Sequence, residues 1–140
     1  MTQTLQSVFS AVRNLEPLAI WDSARQKVDE AYRSVGKYVA EHPDYHVYGY
    51  NTLPGHRDTE GLEESQLASF QEALIENHAL SGFGSYDEFT TRCFAYAKLC
   101  QISAIGPAVS VEMFDHLRNA ALDPKFQADV PLGSSYSSGD

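Results

Sequence analysis

Cysteine spacing excludes two familiar kinds of site in this sequence. Cys93 and Cys100, the two cysteines, are seven residues apart on one predicted helix, about 10 Å along its axis, which is too far for a disulfide bond. Neither has a second ligand at a spacing typical of zinc sites. The sequence also lacks a G-x-S-x-G nucleophile motif and a phosphate-binding loop. We therefore expect reduced, buried cysteines and no metal.

Tyr48 and His78 are further candidates for chemistry, and each has an ordinary structural interpretation. Tyr48 is one of eight tyrosines, so it could simply pack. His78 ends an apolar helical stripe, where a lone histidine is more often a satisfied core residue than a functional one. The last eight residues, G-S-S-Y-S-S-G-D, have the composition of a flexible linker. None of these features indicates a reaction when it is taken alone.

The size and charge of the chain restrict its partners. Its 140 residues suit one domain, and 10 basic against 19 acidic side chains leave a net charge of -9, which repels phosphate backbones and anionic lipids. No apolar run approaches the roughly 20 residues that cross a bilayer, and the first residues lack a secretory signal pattern. We expect a cytoplasmic protein that binds neither nucleic acid nor membrane.

The elements that position these side chains are predicted to be mainly helical. Apolar residues recur at helical spacing, and the runs end at prolines or glycines. Residues 45–50 are aromatic and β-prone, and residues 51–61 form a polar loop. The pattern predicts a mainly α fold with a minor β element, whose helices cover residues 5–12, 22–42, 62–80, 86–103 and 111–121.

Three segments, in the right order, resemble the aromatic amino-acid ammonia-lyase and aminomutase family. Residues 47–52, V-Y-G-Y-N-T, are similar to the family's Y-G-x-N-T-G-F-G loop. Residues 74–84, L-I-E-N-H-A-L-S-G-F-G, resemble its helix end with a histidine and G-x-G. Residues 130–140, V-P-L-G-S-S-Y-S-S-G-D, resemble V-P-x-x-G-S-V-G-A-S-G-D. Together the segments cover nearly the whole chain and favour this family over the linker interpretation of the tail.

The resemblance implies a cofactor made from the protein backbone. In the family, the A-S-G tripeptide cyclises and loses water to give 4-methylidene-imidazol-5-one (MIO). Here the attacking nitrogen belongs to Gly139, the carbonyl to Ser137, and Ser138 becomes the methylidene group. Glycine leaves the tight turn unobstructed, and the serine hydroxyl is the leaving group.

The resemblance also assigns roles to residues around the substrate. Tyr48 would be the general base that removes the substrate's β-proton. Asn51, His78 and Ala79 would contact an aromatic amino acid, and a histidine at position 78 suits a hydroxyl or imidazole partner. This favours tyrosine or histidine over phenylalanine as the substrate.

The sequence departs from the family pattern at two places. Tyr136 replaces a glycine beside the tripeptide, which would alter the backbone bend that brings the ring-forming atoms together. Leu53, Pro54 and Gly55 replace Gly-Phe-Gly in the loop after Tyr48, and proline stiffens that loop and removes a donor. Ser137 replaces alanine, but its side chain takes no part in ring closure.

In the family, the long central helices and a carboxylate-binding arginine follow the S-G-D motif. Residues 1–140 therefore resemble a single N-terminal segment of the ammonia-lyase (fumarase/aspartase-like) fold, with the C-terminal helical core absent. We expect this core to be a separate partner chain in a homo- or hetero-oligomer that is active only when assembled. The alternative is a truncated, non-catalytic binding or assembly module. The sequence leaves open whether ammonia is eliminated or moved, and which aromatic amino acid is used.

Overall fold

The computed structural model describes residues 4–48, 50–78 and 83–133. The chain divides into two units. The first contains residues 1–40 and 85–130, and the second contains residues 41–84 and 131–140. The described residues form five α-helices: α1 (Leu5–Asn14), α2 (Ala19–Glu41), α3 (Leu67–His78), α4 (Glu88–Ile105) and α5 (Val111–Leu122). The mainly helical prediction is confirmed.

Helices α1, α4 and α5 of the first unit begin after residues whose side chains cap them. Thr4 and Ser7 form a reciprocal capping box at the start of α1, Asp87 accepts from the Thr90 N–H at 2.8 Å in α4, and Ser110 caps α5. Each side chain satisfies a backbone N–H that has no partner within its helix. The α4 helix ends at Gly106, whose φ of 64° is left-handed, a conformation that glycine adopts at low cost.

The core of the first unit is built around an aromatic pair. The rings of Trp21, on α2, and Tyr96, on α4, are 4.8 Å apart between centroids, and neither is exposed. Leu99 is also fully buried, which contributes roughly 1.5 to 3 kcal/mol relative to exposure. The remaining buried apolar residues are Ala11, Val12, Leu18, Ala24, Val28, Ala95, Ile102, Val111, Phe114 and Ala121.

The two halves of helix α2 differ in how deeply their apolar residues are buried. Its first half is buried through Trp21, Ala24 and Val28 and makes polar contacts with other helices: Lys27 Nζ donates to the carbonyl of Ala104 at 2.7 Å. In its second half Tyr32 is 49% and Val35 is 41% exposed. The helical spacing predicted from the sequence is confirmed for this half.

The second unit contains α3 and the loop before it. The loop includes two 3₁₀ turns, Gly55–Arg57 and Glu64–Gln66, and an isolated antiparallel bridge between Thr52 and Gly61. Residues 45–48 and 50 form no strand, although their composition is β-prone. The minor β element is reduced to bridges of single residues.

No helix in the described parts of the chain is both long and apolar enough to cross a membrane.

Candidate active site

The predicted base, Tyr48, lies in the loop of the second unit. Its side chain is 65% exposed, so the phenol is not buried in the core. Its Oη accepts a hydrogen bond from the backbone N–H of Gly55 at 3.0 Å. The phenol is thus held by one directed contact while its ring stays open to solvent.

The Gly55 donor depends on the local backbone. Pro54 is extended, with φ −82° and ψ 167°, and Gly55 follows with φ 69°, a left-handed conformation that disfavours residues with a side chain. This turn aims the Gly55 N–H at Tyr48. The sequence analysis predicts only that Pro54 stiffens this loop. A Pro-Gly pair is typical of a turn, and this could have predicted the conformation at Gly55.

Asn51 holds the segment that carries Tyr48. Its side-chain oxygen accepts from the Val47 N–H at 2.7 Å, and its amide donates to the Tyr45 carbonyl at 2.9 Å. A carboxamide has two lone pairs and two N–H groups, so one of each remains for another partner. Asn51 therefore organises the segment of the loop that carries Tyr48.

The far side of the loop is closed by backbone bonds and an ion pair. Leu62 donates to the Asn51 carbonyl at 2.8 Å, and Leu53 donates to the Glu60 carbonyl at 3.1 Å. Arg57 makes a two-point contact with Glu60, at 2.7 and 2.5 Å, and this hydrogen bond raises the pKa of the Arg57 guanidinium. These contacts fix the turn that presents Gly55.

The structure describes only some of the other predicted site residues. The backbone of His78 lies in α3, within the helix that the sequence predicts over residues 62–80. The His78 side chain, together with Ala79, Ser137, Ser138 and Gly139, lies outside the described residues. Of the predicted set, the structure therefore brings Tyr48 and Asn51 together in one loop, and the remaining assignments stay predictions.

The described residues contain no cluster of metal ligands, and both cysteines are free thiols. Within residues 4–48, 50–78 and 83–133, no group of three His, Cys, Asp or Glu side chains is placed to hold a metal ion. Cys93 and Cys100 are free thiols and half-buried, and burial raises the pKa of both. Raised values disfavour the reactive thiolate.

The sequence model of the family described as "Aromatic amino acid lyase" matches residues 3–140, nearly the whole chain. The chain belongs to the aromatic amino acid lyase family. The family resemblance drawn from the three segments is thereby confirmed.

A solved structure gives the fold of this family member independently. Phenylalanine aminomutase from Pantoea agglomerans matches with a TM-score of 0.77 and 21% sequence identity, over 87% of this chain. At this identity the likeness shows the helical fold. The matched part is 23% of the aminomutase chain, so the likeness covers less than a quarter of that protein. A search of curated protein sequences gives no match.

Proposed function

We propose that this chain is the N-terminal part of a MIO-type aromatic amino-acid ammonia-lyase or 2,3-aminomutase. It supplies the base Tyr48 and the ring-forming residues Ser137, Ser138 and Gly139, and a partner chain with the C-terminal portion completes the site. Family membership over residues 3–140 supports the reaction class. The small share of the aminomutase that the chain matches supports the need for further polypeptide. The expected cytoplasmic homo- or hetero-oligomer is part of the same proposal.

The observation that carries the proposal is the contact between Gly55 N–H and Tyr48 Oη at 3.0 Å. A catalytic base needs a fixed direction and access to its substrate, and Tyr48 has both a directed donor and an exposed ring. A tyrosine that served only in packing would need neither a directed hydrogen-bond donor nor an exposed ring.

The chemistry of the tail fits the cofactor that the family resemblance implies. Ser138 has a hydroxyl that can leave, and Gly139 has a nitrogen with no side chain beside it. When formed, the ring would supply an electrophile that captures the substrate's amine or aromatic ring.

In the proposed reaction, the chain's own residues bind the substrate and move one proton. Tyr48 Oη takes the β-proton from the aromatic amino acid, and the carbon–nitrogen bond breaks. Ammonia then departs in a lyase or is returned to the β-carbon in an aminomutase. Asn51 would use its remaining N–H and lone pair toward the substrate, and His78 and Ala79 would contact the aromatic ring.

The test removes the phenol oxygen of Tyr48 in the complex purified from the native source. We expect Tyr48→Phe to lower the conversion of tyrosine or histidine, to ammonia in a lyase or to the β-amino acid in an aminomutase, by about 10² to 10⁴-fold, the usual contribution of a general base. The matched control is Tyr50→Phe, in the same loop and 47% exposed, which should retain activity. Equal activity of Tyr48→Phe and the unaltered complex would contradict the proposal.

One observation favours the alternative, a non-catalytic binding or assembly module. Tyr32 and Val35 lie exposed on the second half of α2, and exposed apolar residues on one helix face are typical of interaction surfaces. Such a module would keep an unaltered mass at residues 137–139, and Tyr48→Phe would leave its biological activity intact. Tyr48→Phe therefore distinguishes the catalytic function from the binding or assembly module.

A further inference from the structure

A pocket beside the start of α4 combines aromatic side chains with polar ones. Its volume is about 290 Å³, at the small end of the range for ligand-binding cavities. Tyr86 and Phe126 supply aromatic rings, and Glu88, Thr91 and Asp129 supply oxygen atoms. All of these residues belong to the first unit. A few polar groups within an apolar and aromatic lining are typical of sites for small molecules.

One polar group of the lining is buried without a partner. The Thr91 hydroxyl accepts from and donates to no group among the described residues, although Thr91 is only 4% exposed. Such a hydroxyl costs free energy, because it loses its hydration and no protein contact replaces it. Most buried polar groups in folded proteins have a partner. A ligand in the pocket would supply the partner that the protein does not.

The charge of the pocket favours a cation. Arg92, which is 3% exposed, balances the carboxylate of Glu88 at 3.0 Å. The carboxylate of Asp129 accepts from the Ser85 hydroxyl, and within residues 4–48, 50–78 and 83–133 it has no ion pair with a cationic side chain. Asp87 caps the start of α4, which offsets the positive end of the helix dipole. The chain's net charge of -9 adds to the same negative field.

We propose that this pocket binds a small aromatic amine in its protonated form. The ammonium group donates to the carboxylate of Asp129 and to the hydroxyl of Thr91, and the aromatic ring of the amine packs against Tyr86 and Phe126. An amino acid is disfavoured, because its own carboxylate would be repelled by Asp129 and Glu88. The site is therefore separate from the proposed reaction and does not depend on ring formation.

Benzylamine is the probe, because it carries a primary amine on one aromatic ring and is protonated at neutral pH. It is titrated into the full chain and its binding is measured by calorimetry. Benzyl alcohol has nearly the same size without the charge, and phenylglycine adds a carboxylate beside the amine. We expect benzylamine to bind about tenfold more tightly than either, the usual contribution of a charge-assisted hydrogen bond. Equal binding of the three compounds, or no binding of benzylamine, would overturn the proposal.

A matched pair of carboxylate substitutions locates the binding. Asp129→Asn removes the charge of Asp129 at nearly constant size and should weaken benzylamine binding about tenfold. Glu112→Gln removes one carboxylate from an exposed position outside the pocket, and binding should change by less than about twofold. Equal weakening by both substitutions would show a long-range effect of net charge and refute the role of Asp129, as would unchanged binding by Asp129→Asn.

Thr91→Val tests the hydroxyl with two readouts that a purely structural role would not separate. Valine has nearly the shape of threonine, with a methyl group in place of the hydroxyl. The urea midpoint of the free chain should stay the same or rise, because a buried hydroxyl without a partner is removed. Benzylamine binding should weaken about fivefold, because the ammonium loses an acceptor. A lower midpoint, or unchanged binding, would contradict the proposal.

Discussion

Replacing Tyr96 by phenylalanine tests the contact between α4 and the end of α1. The Tyr96 hydroxyl donates to the Glu16 carbonyl at 2.9 Å and lies 3.4 Å from the Ala11 carbonyl. The substitution retains the ring and its packing on Trp21, so the change is confined to the hydroxyl. Removing a buried donor and leaving its acceptor unpaired costs about 1 to 2 kcal/mol. We expect the free energy of unfolding to fall by that amount.

Urea unfolding followed by tryptophan fluorescence measures this change directly. The chain has one tryptophan, Trp21, and it packs against Tyr96, so its emission reports on this part of the core. Tyr32→Phe is the matched control, because that side chain is 49% exposed and its loss should alter stability by less than about 0.5 kcal/mol. Equal stability of Tyr96→Phe and the unaltered chain would refute the proposed role of the hydroxyl.

Tyr96 also makes the free energy of unfolding depend on pH in the alkaline range. Burial raises the pKa of the Tyr96 phenol above its ordinary value of 10.0. The unfolded chain therefore loses this proton at lower pH than the folded chain does. The stability that the neutral phenol contributes is fully present below pH 10.0 and is lost as pH rises through the raised pKa. Tyr96→Phe should remove this part of the alkaline decline, and an unchanged decline would contradict the assignment.

The remaining predictions concern capping and the thiols. Ser110→Ala should lower the free energy of unfolding by about 1 kcal/mol, measured in urea, because α5 loses its cap; no loss would mean that another group caps it. The N–H of Thr90 lowers the pKa of Asp87 from 3.8, so its carboxylate stabilises the fold above pH 3.8, and this is lost as pH falls through the lowered pKa. Asp87→Asn should flatten that acid decline, and an identical decline would count against it. Cys93 and Cys100 should be alkylated more slowly in the folded chain than in urea, since burial raises the pKa of both thiols; equal rates would contradict this.

Helix positions were predictable from the sequence to within a few residues. The predicted helix over residues 86–103 corresponds to α4 (Glu88–Ile105), because Asp87 and Gly106 are recognisable end signals. The start of α2 was missed: it begins at Ala19, before Asp22, and so brings Trp21 into the core. Sequence periodicity identified the apolar face of this helix but contains no information on which segment covers it.

Burial within α4 and the form of the Tyr48 loop were harder to predict. Cys93 and Cys100 are half-buried, and Phe89 is 37% exposed, whereas Arg92 on the same face is buried because several carbonyls accept from it. A pattern of apolar residues cannot predict that an arginine is buried when the carbonyls that accept from it lie some thirty positions away in the chain. Likewise, aromatic residues suggested an extended stretch at 45–50, but the side-chain bonds of Asn51 turn the chain there.

The mass of the intact chain from its native source tests the central claim most directly. Ring formation from Ser137, Ser138 and Gly139 removes two waters, so we predict a mass about 36 Da below that of the unmodified sequence. Fragmentation should confine the loss to those three residues. An unaltered mass in the purified native complex would contradict a catalytic role and favour the binding or assembly module.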